Sequence, residues 1–402
     1  MSHPDSPRVL LTVTAPVTAR LFLRGYAVFL AGSGYDVHIA ASDVEDLASG
    51  LAAEGVTVHA VSMSREPDLS GDLKSARAMV RLLKRLRPDI VVYATPKASL
   101  LSSVAAWWTR TPVRVYSLWG IRFETARGLA RHVYRAIEKV TVTCSTAVIA
   151  NSESLADRAA ALRLRRRDRI TVPGAGSSHG VDAGHFDPDG EIGAVDEATD
   201  RFLLEDVFTV GYVGRLHPDK GVDTLLNAVA RIGDDRSVQT VLVGADEGAL
   251  ASRVDHGPRV HSTGEVADVR PYLRRFDVVV LMSLREGFPN VVLEAAAMRV
   301  PAIVSDATGC VDAVLHGVTG FVVPRGDHRD LARRIIELRA DRGSRLAMGE
   351  AARDRVRRDF DPVEVWSAHE QHLAAQLAAR TTSPRGPRRK RSHGARRNES
   401  VR

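Results

Sequence analysis

Two short runs hold the residue types that could handle a phosphorylated substrate. The first is Gly211-Tyr212-Val213-Gly214-Arg215-Leu216-His217-Pro218-Asp219-Lys220-Gly221. Its apolar start predicts a strand ending at Val213. Gly214 then opens a tight turn, and a helix follows from near Gly221. Arg215 and Lys220 would stand beside that helix N-terminus, where free main-chain amides attract anions and two cations complete a diphosphate site. The whole chain has six lysines, and one of them sits inside this turn. The second run is Arg285-Glu286-Gly287-Phe288-Pro289-Asn290-Val291-Val292-Leu293-Glu294. It too follows an apolar strand and leads into a helix. Asn290 reads as the N-cap, and Gly287 lets backbone approach a ligand. A lone turn lysine or loop glutamate is ordinary solvated surface. Two glutamates around Gly-Phe-Pro, after a strand, are harder to obtain by chance.

The elements that must position these runs form two similar series. Short apolar segments at Val9–Val13, Val37–Ala40, Val56–Ala60, Ile90–Tyr93, Val113–Tyr116 and Val148–Ala150 read as buried strands. Helical patterns lie between them, including Ala19–Ala31, Leu73–Arg87 and Ala126–Val142. The series restarts with strands at Val207–Val213, Gln239–Val243, Val278–Leu281, Ala302–Val304 and Gly320–Val322, and helices at Asp223–Arg231, Ala267–Arg275, Val291–Met298 and Arg329–Arg339. Alternation of this kind predicts two doubly wound α/β, Rossmann-like domains facing a cleft at the carboxyl ends of their strands. Residues 1–182 are read as an acceptor-side domain, 183–205 as a linker and 206–362 as a donor domain. Residues 363–379 read as a helix packing across one domain, and 380–402 as a disordered basic tail.

The chain has 402 residues, 44% hydrophobic and 26% charged, which suits a soluble globular protein of two or three domains. No apolar run approaches about 18 residues, so no spanning helix is expected. Cys144 and Cys310 are too few for a disulfide framework. The net charge of +7 belongs to the tail: nine basic residues and one acidic residue fall between Arg380 and Arg402, leaving the rest near neutral. Such a tail could meet nucleic acid or an anionic membrane, or simply keep the chain soluble.

The Gly-Arg-Leu…Lys-Gly turn, Glu-Gly-Phe-Pro-Asn and the second glutamate resemble the retaining glycosyltransferases of the GT-B fold, family 4. The resemblance continues through Asp312, Gly317 and Thr319-Gly320-Phe321. In the first half, Thr95-Pro96-Lys97-Ala98, Gly120–Thr125 and Gly176-Ser177-Ser178-His179-Gly180-Val181-Asp182 are similar to a bacterial subgroup that builds cell-surface polysaccharides on polyprenyl diphosphate. The resemblance implies a UDP-sugar donor, a lipid-linked or saccharide acceptor and retention of configuration. It implies that Arg215 and Lys220, at the turn opened by Gly214, neutralise the donor diphosphate. Glu286 would hold the donor sugar, amides from Gly287 and Phe288 to Asn290 and Val291 the distal phosphate, Glu294 the ribose diol, and the main chain near Val266 the base. Glu286, Arg215 and Lys220 are thus the expected catalytic set. Many relatives carry a histidine in the loop that here reads Ser117-Leu118-Trp119-Gly120, so Lys97, Arg122 and Glu124 become the acceptor-side candidates.

No metal or other cofactor is implied; the nucleotide sugar is a substrate. Asp187-Pro188-Asp189 and Asp359-Phe360-Asp361 follow no strand, as a metal–nucleotide site would require, and read as turns and caps. His369 and His372 read as surface. A cytoplasmic enzyme, peripheral on the inner face of the plasma membrane, is expected, with no nucleic-acid partner. The basic residues of Leu73–Arg87, beside Leu73, Ala76, Val80 and Leu83, are the reason for the membrane. A nucleotide-sugar epimerase on the same fold stays open, as does a non-enzymatic nucleotide- or nucleic-acid-binding protein.

Overall fold

The computed structural model describes residues 6–63, 69–233, 237–248 and 259–381. The tail beyond Thr381 lies outside them. Seven short, Val- and Ile-rich strands build the first sheet: β1 (Arg8–Thr12), β2 (Asp36–Ala41), β3 (Val56–Ala60), β4 (Ile90–Tyr93), β5 (Val113–Leu118), β6 (Ala147–Ala150) and β7 (Ile170–Thr171). All pair in parallel in the order β3-β2-β1-β4-β5-β6-β7. Six more make the second: β8 (Phe208–Val213), β9 (Val238–Val243), β10 (Val260–Gly264), β11 (Val278–Leu281), β12 (Ala302–Ser305) and β13 (Gly320–Val323). Their order is β10-β9-β8-β11-β12-β13, again parallel. Strands buried on both faces need continuous apolar runs, which is why their positions are readable. In each sheet the order reverses beside the first strand, between β1 and β4 and between β8 and β11. Such switch points leave a crevice at the strand ends.

In the first half the helices are α1 (Pro16–Thr18), continued by a π-helical turn Ala19–Leu23, then α2 (Arg24–Gly32), α3 (Glu45–Ala52), α4 (Leu69–Leu86), α5 (Pro96–Trp108), α6 (Gly128–Cys144) and α7 (Glu153–Ala161). The second half adds α8 (Glu197–Phe202), α9 (Val222–Ile232), α10 (Arg270–Leu273), α11 (Asn290–Ala297), α12 (Cys310–Ala313), α13 (His328–Ala340), α14 (Arg342–Asp359) and α15 (Pro362–Thr381). Starts are set by local chemistry. Pro96 and Pro362 occupy first turns, where the missing N–H costs nothing. Ser152 caps α7 by accepting from Leu155 N, and Asp327 caps α13.

Strands β7 and β10 and helices α8, α12 and α14 are additional to those read from sequence, and the expected helix Ala267–Arg275 shortens to α10. The stretch around 183–205 is partly ordered by α8, whose cap Asp196 accepts from Thr199 N. Asp187 and Asp189 bind Arg353 and Arg299 at 2.8 and 2.7 Å, and Asp361 Oδ1 accepts from Val363 N. These acidic pairs do structural work.

The chain crosses between the halves twice. It leaves the first after β7 and returns at Phe360–Pro362, and Val181 N donates to Phe360 O at 2.9 Å where the crossings meet. Helix α15 then docks on the first half. Trp366 meets Phe29 with ring centroids 6.0 Å apart, Glu370 accepts from Tyr35 at 2.7 Å, and Leu373 is buried. Burial of one such leucine contributes about 1.5–3 kcal/mol. His369, expected at the surface, is buried on this helix against Tyr26 and Ser177 O. The apolar face of α15 points into the first domain and takes the histidine with it.

Candidate active site

A cavity of about 410 Å³ opens at the switch point of the second sheet. Val213 and Leu281, the last residues of β8 and β11, form its floor. Gly214, Arg215 and Lys220 line it from the turn after β8. Glu286, Gly287, Phe288, Asn290 and Val291 line it from the loop after β11. The two runs singled out by residue type therefore meet in one cavity, more than sixty positions apart in sequence.

The β8 turn is held from below: Tyr212 Oη donates to Arg215 O at 2.7 Å. Gly221 has φ +68°, and a Cβ there would lie 1.9 Å from Met282 O, so only glycine lets α9 start so close to the end of β11. That contact brings Lys220 against the second loop. Lys220 Nζ donates to Glu286 Oε1 at 2.6 Å, and Ser283 Oγ donates to the same oxygen at 2.7 Å. Among the described residues Glu286 Oε2 has no partner. The pair is largely withdrawn from water, with side chains 23% and 13% exposed. Arg215, at 55% exposure, is drawn aside by an ion pair with Glu247. The loop after β11 ends at α11, whose first amides have no intrahelical acceptor and aim their dipole at the cavity.

Asn290 does not cap α11. Pro289 occupies the cap position, and Asn290 is the first helical residue. Its amide turns instead to the first domain, contacting His179 and lying 3.4 Å from Ser177 Oγ. Glu294 stands one turn further along α11, outside the cavity wall; burial pushes its carboxyl up to about 7. Val266 packs on the cluster around Tyr272 and Leu273 and likewise does not line the cavity. The acceptor-side candidates are engaged elsewhere. Lys97 binds Asp72 at 2.7 Å, Glu124 accepts from Arg158 at 2.5 Å, and the Arg122 guanidinium lies 4.7 Å from the Tyr134 ring centroid.

The first domain supplies the opposite wall with Phe22, Trp119, Asn151 and Ser178. Trp119 comes from the loop noted for its missing histidine. A histidine does stand behind the wall: His179 meets Phe22 edge-on, 4.7 Å between centroids, beside Ser178 Oγ at 2.8 Å. Burial presses it down to about 4, so the ring is neutral at physiological pH. It belongs to the Gly176–Asp182 run, whose composition gave no hint of this position. The walls touch through backbone. A Cβ on Gly287 would lie 2.2 Å from Trp119 O, and Ser152 Oγ donates to Gly287 O at 2.9 Å. Arg285 bridges Asp219 at 3.1 Å and Thr125 at 2.9 Å.

Residues 207–341 match the family described as "Glycosyl transferases group 1", and residues 19–176 the "Glycosyl transferase 4-like domain". A capsular polysaccharide biosynthesis glycosyltransferase of Staphylococcus aureus, CapM, is 34% identical over 366 residues, 89% of this chain and 93% of the relative. The chain belongs to the group 1 glycosyltransferases. This glycosyltransferase is also 26% identical to an Escherichia coli UDP-Gal:alpha-D-GlcNAc-diphosphoundecaprenol alpha-1,3-galactosyltransferase, over 75% of this chain and 79% of that one. Its fold matches Anabaena HepE in complex with UDP at a TM-score of 0.72 and 21% identity, covering 92% of this chain and 100% of that one. A sucrose-phosphate synthase from Thermosynechococcus elongatus matches at 0.76 and 21%, covering 93% and 100%. The two facing sheets are thus the GT-B fold expected from sequence.

Proposed function

We propose that this glycosyltransferase moves a sugar from a UDP-sugar, with retention, to a lipid-linked or oligosaccharide acceptor during cell-surface polysaccharide assembly. The observation that carries the reading is the convergence of Arg215, the Lys220–Glu286 pair and the α11 N-terminus on one cavity at the β8/β11 switch point. A departing nucleoside diphosphate gains negative charge in the transition state, and fixed cations and amides stabilise it most there. Glu286 Oε2 is free to accept from donor hydroxyls while its other oxygen is pinned. Glu294, when ionised, can meet a vicinal diol with two oxygens. The donor base is supported by the UDP-bound neighbour HepE, and the acceptor class by the name of the Escherichia coli relative. No step requires a divalent metal in this reading, because Arg215 and Lys220 supply the charge.

Peripheral attachment to an anionic membrane belongs to the same proposal. Among the described residues no helix is long and apolar enough to cross a membrane. On α4, the stripe expected to touch lipid largely faces inward: Leu83 is buried and Ala76 and Val80 pack on the core. The helix keeps its cations outside, including Arg77, Arg81, Lys84 and Arg85. Apolar surface comes from its neighbours instead. Trp107 and Trp108 at the end of α5 are 54% and 68% exposed, and Leu129 on α6 is 79% exposed. Interfacial tryptophans beside cations suit a headgroup layer.

A thermal-shift screen with UDP-, GDP- and ADP-sugars tests the donor. A hundredfold excess over Kd stabilises by about 2.7 kcal/mol. A shift with GDP- or ADP-sugars alone overturns the UDP assignment, and no shift with any of them overturns the donor site.

A further inference from the structure

A second cavity, of about 240 Å³, lies on the first domain between the π-helical turn and α3. It opens at the carboxyl ends of β1 and β2, the same edge of the sheet that faces the donor cavity. Val17, Leu47 and Leu51 give it apolar walls, and Arg20, Arg24 and Asp43 bring the polar groups. Arg24 is satisfied by Glu54 at 2.8 Å. The side chains of Arg20 and Asp43 differ: both line the cavity from exposed positions, and among the described residues neither makes a hydrogen bond or ion pair, so both are open to a ligand as they are to water. Asp43 holds φ +44°, a left-handed turn state that aspartate adopts more readily than most side chains and that aims its carboxylate at the cavity mouth.

The charges decide what such a cavity takes. Arg20 and Arg24 are balanced by Asp43 and Glu54, so a diphosphate would meet no excess of cations and would face the Asp43 carboxylate. A neutral polyol fits better. The Arg20 fork offers donors and the Asp43 carboxylate offers acceptors, the two halves of recognition for neighbouring hydroxyls. The apolar walls suit the C–H face of a pyranose.

The π-helical turn stands between the two cavities. Phe22 on this turn lines the donor cavity and Arg20 lines the second. Such turns are rare and gather at functional sites. A helix with its side chains is about 10–12 Å across, so the cavities stand about one helix width apart. We infer that the second cavity is an acceptor subsite for an uncharged sugar ring, further along the acceptor from the ring that receives the new residue at Phe22 and Trp119. The inference rests on the transferase reading and narrows it: the acceptor carries at least two sugar rings.

The test is binding of the labelled full chain, saturated with UDP, to an array of neutral mono-, di- and trisaccharides. Farnesyl diphosphate is titrated separately as an anionic probe. At least one di- or trisaccharide should bind. Arg20→Ala and Asp43→Asn should each weaken it about tenfold or more with UDP affinity unchanged. Asparagine tolerates the backbone at position 43, so that variant keeps the fold. No binding to any neutral glycan, or binding within twofold of the parent in both variants, overturns the subsite. So does farnesyl diphosphate binding that Arg20→Ala abolishes while glycan binding persists. Failure to bind UDP at all refutes the transferase reading separately, whatever the array shows.

Discussion

Replacing Lys220 by alanine strips the cavity at the β8/β11 switch point of its least exposed cation. The Nζ lies 2.6 Å from Glu286 Oε1, with side-chain exposures of 23% and 13%. Two costs follow, and they separate. For stability, Glu286 keeps only its bond from Ser283. A pair at this intermediate depth contributes about 1 kcal/mol, or about 2–4 °C in Tm for a domain of this size. For catalysis, the transition state loses a fixed charge facing the departing diphosphate. That typically costs about 2.7–4 kcal/mol, about 10²–10³ in kcat/KM. Arg215 is 55% exposed and shared with Glu247, so water and salt screen it, and Arg215→Ala should lose only about tenfold. Initial rates of UDP release, measured with the donor that the thermal-shift screen selects, give both numbers. Because Lys220 and Glu286 touch, the double variant Lys220→Ala/Glu286→Gln should lose clearly less than the sum of the two single losses. If Lys220→Ala turns over within threefold of the parent at equal saturation, or if Arg215→Ala is the more damaging change, the diphosphate assignment is wrong.

Other outcomes follow from the same geometry. Glu294 has its carboxyl raised to about 7 by burial. The folded chain therefore holds that proton at pH values where the unfolded chain has released it, and stability declines as pH rises from about 4.3 toward 7. Glu294→Gln should raise Tm at pH 8 and leave it unchanged near pH 4, while weakening UDP binding at pH 8; a loss of stability at pH 8 contradicts this. Activity should persist after exhaustive chelation, and complete loss restored by manganese or magnesium would show that the leaving group is stabilised by other means. Sedimentation with phosphatidylglycerol vesicles should carry down a chain ending at Ala379. Binding should fall at high salt, with Arg81, Lys84 and Arg85 changed to glutamate, and with Trp107 and Trp108 changed to serine. Each charge near the surface is worth about 1 kcal/mol. A chain that stays in the supernatant at low salt has no membrane face there.

What the sequence revealed depended on how local the cause was. Buried parallel strands advertise themselves because both faces are apolar, so β1, β4, β8 and β11 were legible, and with them the crevice. Strand β10, Val260-His261-Ser262-Thr263-Gly264, lies at a sheet edge and is only half buried, so its composition is mostly polar. Strand β7 is two residues long. Helix α14 packs through Gly349, Ala352, Arg353 and Val356, and half of its residues are charged, leaving little apolar rhythm to detect. The cavity at the β8/β11 switch point was half legible. Arg215, Lys220 and Glu286 carry unusual chemistry at strand ends. The opposite wall of Phe22, Trp119 and Ser178 is brought there by contacts such as Ser152 to Gly287, 135 residues apart, which no local pattern encodes. The inward roll of α4 and the exposed Trp107-Trp108 pair likewise depend on which helices neighbour which.

The double crossing between the halves has a mechanical consequence. A domain tethered by one strand of chain can swivel, twist and drift within the reach of its tether. Here the outgoing chain near Val181 and the returning chain at Phe360 are bonded to each other, and α15 clamps the return to the first domain. Two linked attachment points leave the halves less freedom to twist than one tether would, so a movement that parted Gly287 from Trp119 would keep Arg215 and Lys220 in register with Phe22.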